Sequence, residues 1–141
     1  MSMVPVYIEI SLQTLNEIHK DNNILDGIIY EENKRLAELN LINYDTAGTI
    51  FSALSKFMEN NGTKDEVNVE NQKSRVLDYD GFPGYHISYE NPEEVHDYFE
   101  SLQKTHRNQI EEQWLLEWFD EIYKFYNTAS KNGSAILYCI T

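Results

Sequence analysis

The chain is poor in the features that mark specialised protein classes. It has a single cysteine, Cys139, so it cannot close an internal disulfide. No apolar run approaches the roughly 20 residues that a membrane-spanning helix needs. No basic start followed by an apolar stretch suggests a secretion signal, so the expected location is the cytoplasm. Cationic side chains are scarce: Lys and Arg number 11 against 24 Asp and Glu, for a formal charge of −13. Nucleic acid is therefore disfavoured as a partner, because gripping phosphates requires Lys and Arg to displace counterions. Anionic membrane surfaces are disfavoured for the same reason.

What is present supports a folded globule. A length of 141 residues suits one domain spanning 1–141, with a polar loop around 62–75. A chain of this size buries about 70% of the surface its unfolded form exposes, so its core needs no covalent staple. The hydrophobic content is 41%, with two tryptophans, ten tyrosines and six phenylalanines. This is too apolar and too aromatic for a disordered tail.

Periodicity separates the elements. In "VPVYIEIS" Val4, Val6, Ile8 and Ile10 alternate with Tyr7 and Glu9, which predicts a half-buried strand with Pro5 near its start. Ser11 then caps a short helix carrying Leu12, Leu15 and Ile18. Asp26-Gly27 marks a break before a helical stretch from Glu31 to Leu39. Asp45 is placed to cap a further helix reaching about Asn60, with Ile50, Phe51, Leu54, Phe57 and Met58 as its apolar stripe.

"DGFPG" at residues 80–84 is a turn, and "YHISY" after it reads as a short strand. "NPEE" starts a helix by mechanism: Asn91 caps, Pro92 fits the first helical position and Glu94 completes a capping box. Residues 109–130 form the longest predicted helix, with Ile110, Trp114, Trp118, Ile122, Phe125 and Ala129 recurring every three or four positions, so both tryptophans are assigned to the core. Gly133 stops that helix. "SAILYCI" then runs nearly all apolar, as a strand covered on both faces does. The fold class is α+β: a small sheet including the N- and C-terminal strands, packed against four or five helices.

Catalytic motifs are missing from this pattern. Glu93-x-x-His96 has the spacing of half a carboxylate-bridged metal site, but the second copy such sites require is not in the chain. Asp78-Tyr79-Asp80-Gly81 begins like a calcium loop whose remaining ligands do not follow. Cys139 sits in an apolar strand, where a thiol acts as a small hydrophobe. No phosphate loop, serine elbow or cysteine quartet occurs. No enzyme activity, cofactor or metal is expected.

Several segments together resemble the YfbM-like family, a bacterial domain of unknown function. They are "MSMVPVYIEIS" with its leucine-bearing helix, "INYDTAGTIFSALS", "GYHISYENPEEV", and "WFDEIYKFYNTASKNGSAILYCI". The resemblance spans most of the chain in short pieces and implies the fold rather than an activity. One departure stands out: where the family's helix after the aspartate carries a tryptophan and, four residues on, a histidine, this chain has Gly48 and Ser52.

The function then has to come from charge. Residues 78–100 hold seven acids (Asp78, Asp80, Glu90, Glu93, Glu94, Asp97 and Glu100) and no Lys or Arg. A concentrated negative field speeds encounter with a basic protein partner. The expectation is an acidic protein-binding module of the immunity-protein kind, which neutralises a nuclease-type toxin domain by occluding its basic site. The contact residues would be Glu90, Glu93, Glu94, Asp97, Glu100, Asp78 and Asp80, with Tyr85 and Tyr89 as aromatic anchors. The alternative is a housekeeping YfbM-like protein that binds a small ligand or acts as an enzyme.

Overall fold

A computed structural model describes residues 5–40, 50, 53, 54, 56, 57 and 87–140. The elements in chain order are β1 (Pro5–Ile10), α1 (Leu12–Lys20), α2 (Ile24–Tyr30), β2 (Ala37–Asn40), β3 (Ser88–Glu90), α3 (Pro92–Lys104), a 3-10 turn (Arg107–Gln109), α4 (Gln113–Lys131) and β4 (Ala135–Ile140). The described residues between 50 and 57 are also helical. The Asp45 cap, the 62–75 loop, the "DGFPG" turn, Gly48 and Ser52 lie outside the described residues.

The four strands form one antiparallel sheet in the order β2-β1-β4-β3. The fold is α+β, with β1 and β4 as neighbours at the centre of the sheet. That position decides their burial. Val6, Ile8, Ile10, Ala135, Leu137 and Cys139 pack on one face with Leu15, Ile18, Leu25 and Ile28 of α1 and α2. Tyr7, Ile136 and Tyr138 pack on the other, with Val95, Phe99 and Leu102 of α3 and Phe119, Ile122 and Tyr126 of α4. Ile50 and Leu54 join this second core.

β4 is thus covered on both faces, as its unbroken apolar run indicates. The half-buried reading of β1 is corrected. Its alternation is real, but Tyr7 and Glu9 face α4 rather than water and are 0% and 1% exposed.

The stretch from Glu31 to Leu39 is also corrected. Its residues are good helix formers, yet α2 ends at Tyr30 and Ala37–Asn40 pairs with Val6–Glu9 as an edge strand. Glu32 and Lys34 adopt φ of 60° and 65°, a left-handed conformation that no helix tolerates. Arg35 holds this reversal. Its Nε donates to the Ile28 carbonyl at 2.6 Å and a terminal nitrogen donates to that of Ile29 at 2.7 Å, satisfying carbonyls that the end of α2 leaves open.

Two helix ends follow the sequence closely. The Asn91 side chain accepts from the Glu94 N–H, and the Glu94 carboxylate accepts from the Asn91 N–H, both at 3.0 Å. At the end of α4, Gly133 takes φ of 65°. Its N–H bonds to the Ser130 carbonyl and that of Ser134 to Ala129, the paired pattern of a Schellman stop.

Two outcomes follow from this packing. Arg35→Met should cost about 1.5–3 kcal/mol in urea unfolding, since hydrogen bonds from a charged donor to two carbonyls are lost. Burial pushes the Cys139 thiol up to about 12, so thiol reagents should label it only at the rate at which the chain unfolds. Labelling of the native protein at the rate of a free thiol would contradict this placement.

Candidate functional site

The nine residues assigned to partner binding do not share one environment. Asp78, Asp80 and Tyr85 lie outside the described residues. Glu93, Asp97 and Glu100 are exposed on α3, as expected. Glu94 is half-buried and engaged in the capping box. Tyr89 is half-buried on the α1 side of the sheet, edge-on to His19 with ring centroids 5.3 Å apart.

Glu90 is a correction. Its acid-rich segment predicts a place on the contact surface, yet it is 0% exposed. The reason is the period-two alternation of a strand: Tyr89 points to the α1 side, so Glu90 points to the side covered by α4. There the Tyr126 hydroxyl donates to its Oε1 at 2.5 Å. The Tyr98 ring lies 4.8 Å from that of Tyr126, and Tyr7 and Tyr138 stack edge-to-face at 5.0 Å within the same core.

A second interior acid balances it. Glu9 Oε2 accepts from Asn132 Nδ2 at 2.9 Å and from Ser134 Oγ at 2.7 Å. Both Glu9 and Glu90 lie opposite Ile136 in the sheet register, one on each side of it. A buried carboxylate is costly unless it is hydrogen-bonded. Here each bond ties a strand to α4 or to the turn that follows it. These two acids are therefore architectural, and neither adds to the field a partner meets.

Helices α3 and α4 run antiparallel, as the pairings Tyr98–Tyr126, Phe99–Tyr123 and Arg107–Asp120 require. Near one end of this pair His96 bridges them. Its Nε2 lies 2.8 Å from Glu100 Oε1, and its Nδ1 lies 3.0 Å from Ser130 Oγ. Carboxylate, imidazole and hydroxyl stand in the order of a nucleophilic triad. The setting opposes that chemistry, because Ser130 sits in the last turn of α4, at the negative end of the helix dipole, where an oxyanion is disfavoured. The His96 side chain is also 57% exposed, so water competes for its bonds. The bridge joins two helices.

A second group of exposed acids lies just before and along the first half of α4. Glu111, Glu112, Glu117, Asp120 and Glu121 are all exposed, and no Lys or Arg occurs between Arg107 and Lys124. Arg107 itself is engaged, donating through Nε and a terminal nitrogen to the two Asp120 oxygens at 2.7 Å each. Those hydrogen bonds hold the Asp120 carboxyl below its ordinary value.

Within this surface Trp114 is 40% exposed, its indole N–H bound to Glu112 at 2.6 Å. Its assignment to the core is corrected. Trp118, one turn on, is half-buried against the α3–α4 core. A groove of about 490 Å³ opens here, lined by Glu117, Trp118, Asp120 and Glu121. Sequence reasoning missed these residues because the tryptophans were absorbed into the apolar stripe. The available signal was "EEQWLLEWFDE", five acids without a base.

Among the described residues no group of three or more His, Cys, Asp or Glu is arranged to hold a metal ion. No helix among them is long and apolar enough to cross a membrane.

No family model matches the chain, and no curated protein matches it in sequence. In three dimensions it is similar to the crystal structure of YfbM from Escherichia coli, a protein of unknown function, at a TM-score of 0.55 and 12% identity. The alignment covers 99% of this chain and 100% of that one. The chain has a YfbM-like fold, and at this identity the likeness concerns the fold alone.

The Glu90–Tyr126 bond is open to direct test. Tyr126→Phe should lower stability by about 1–3 kcal/mol in urea unfolding, because it takes a hydroxyl donor away from a buried carboxylate. Glu90→Gln keeps an acceptor and should cost less. Burial first, and the Glu90 charge second, push the Tyr126 phenol well above its ordinary value. Below pH ~10 the phenol is neutral in both folded and unfolded chains, and stability is unaffected. As the pH rises past that point the unfolded chain alone releases the proton, so wild-type stability should fall. Tyr126→Phe should show a shallower alkaline decline.

Proposed function

We propose that this chain is an acidic protein-binding module that neutralises a basic protein, most specifically a nuclease-type toxin domain, by covering its phosphate-binding site. One observation carries the reading: exposed acids stand on α3 (Glu93, Asp97, Glu100) and, as a second group, on the first half of α4 (Glu117, Asp120, Glu121). The bases within that stretch of sequence are Lys104 and the already engaged Arg107, and Lys124 and Lys131 follow it on α4, next to the residues that meet Phe99 and His96. A toxin that binds phosphates must gather positive charge, and a field of opposite sign both steers encounter and fixes orientation. The same field discourages nucleic acid and anionic lipid. On this reading the protein acts by binding rather than by catalysis, in the cytoplasm where a toxin would meet its substrate.

A second reading, a YfbM-like family role in small-ligand binding or catalysis, draws its support from the convergence of Glu90 with Tyr126, and of Tyr98, Tyr7 and Tyr138, in one core. At 0% exposure of Glu90, a ligand could reach that cluster only if the helices parted from the sheet. The surface reading needs no such motion.

Titrating the purified chain against toxin domains encoded beside its gene should give a nanomolar complex with its cognate. Micromolar or weaker binding to every candidate would refute the proposal. Within a complex, reversing Glu93, Asp97 and Glu100 to Lys should slow association by roughly tenfold or more at low salt and flatten its salt dependence, with the folded state intact.

A further inference from the structure

We propose that the groove on α4 is an arginine pocket, in which an arginine side chain of the basic partner lies along Trp118 and reaches the carboxylates of Glu117 and Glu121. The inference rests on the reading of a basic protein partner and adds the place and chemistry of its anchor. Trp114, Glu117, Trp118 and Glu121 fall at helical positions i, i+3, i+4 and i+7, which puts two indoles and two carboxylates on one face of α4. The groove of about 490 Å³, lined by Glu117, Trp118, Asp120 and Glu121, is large enough to take a side chain.

The surroundings select its charge. Five exposed acids lie between residues 111 and 121 with no base in that stretch of sequence, and Arg107 pairs with one of them, Asp120. Geometry rather than the field favours one shape of cation. At the groove's edge Arg107 already grips Asp120 with two parallel bonds of 2.7 Å, so a guanidinium fork is accommodated on this surface. An arginine brings the same planar fork to Glu117 and Glu121 and stacks its plane on an indole. A lysine ammonium offers a point charge, holds its water more strongly and stacks less well.

The chain contains only two tryptophans, Trp114 and Trp118, so its intrinsic tryptophan fluorescence reports on this face and nowhere else. The test titrates the full chain with hexa-arginine and hexa-lysine peptides, at low salt and at ~0.15 M salt where long-range attraction is screened, following fluorescence and heat in parallel. Hexa-arginine should change the tryptophan emission saturably and bind about fivefold more tightly than hexa-lysine, the margin of one exposed cation–π contact. The double variant Glu117→Gln, Glu121→Gln should lose both the emission change and the preference. The control Glu93→Gln, Glu100→Gln on α3 should keep them.

Heat of binding without an emission change would overturn the pocket while leaving the basic-partner reading standing. Equal responses to the two peptides, or a preference that survives the Glu117/Glu121 double variant, would overturn it in the same way. Absence of any binding by either readout would sink both readings together.

Discussion

The pairing of β1 with β4 at the centre of the sheet sets the terms for everything else. Two strands buried on both faces need helices above and below, and the chain supplies α1 and α2 on one side and α3 and α4 on the other. Alternation along these strands also carries every second residue inward whatever its polarity. Glu9 on the central strand β1, and Glu90 on β3 beside β4, are drawn into the layer beneath α4. Removing such a carboxylate from water is tolerable only where donors meet it, and Tyr126, Asn132 and Ser134 are among those donors. All three belong to α4 or to the turn that ends it. The longest helix is thereby bound to the sheet by polar bonds as well as by its apolar stripe.

That arrangement divides the acidic residues into two populations. Glu9 and Glu90 are spent on architecture, and Glu94 is half-buried in helix capping. The remainder of the acids described on α3 and α4 face solvent, some of them paired with His96 or Arg107. Surface ion pairs of this kind contribute little to stability. Their weight lies in the field they create together, which acts over about a Debye length, roughly 8–10 Å at ordinary salt. A YfbM-like fold does not settle what such a surface does, since folds are shared across unrelated functions and a function belongs to a site. The surface of the antiparallel α3–α4 pair, with its exposed tryptophan, is where charge, aromatic area and concavity coincide.

Local signals in the chain determined the starts and stops of its elements. Asn91, Pro92 and Glu94 form their capping box, and Gly133 the helix stop, because these interactions involve residues only a few positions apart. The apolar run from Ala135 to Cys139 likewise identified a strand covered on both faces, since only such a strand leaves no position for a polar residue. Tertiary structure decided what depends on distant partners. The Glu31–Leu39 stretch has helical composition, but an unpaired edge of β1 and the grip of Arg35 on the end of α2 make its second half a strand. Glu90 looked like a surface acid in an acid-rich segment and was buried by a tyrosine 36 positions away. Trp114 looked like core and was left in solvent, because α4 has more apolar residues around its axis than one sheet face and α3 can cover. Charge and capping act within a few residues and are written in the sequence itself, whereas burial is a property of what packs opposite.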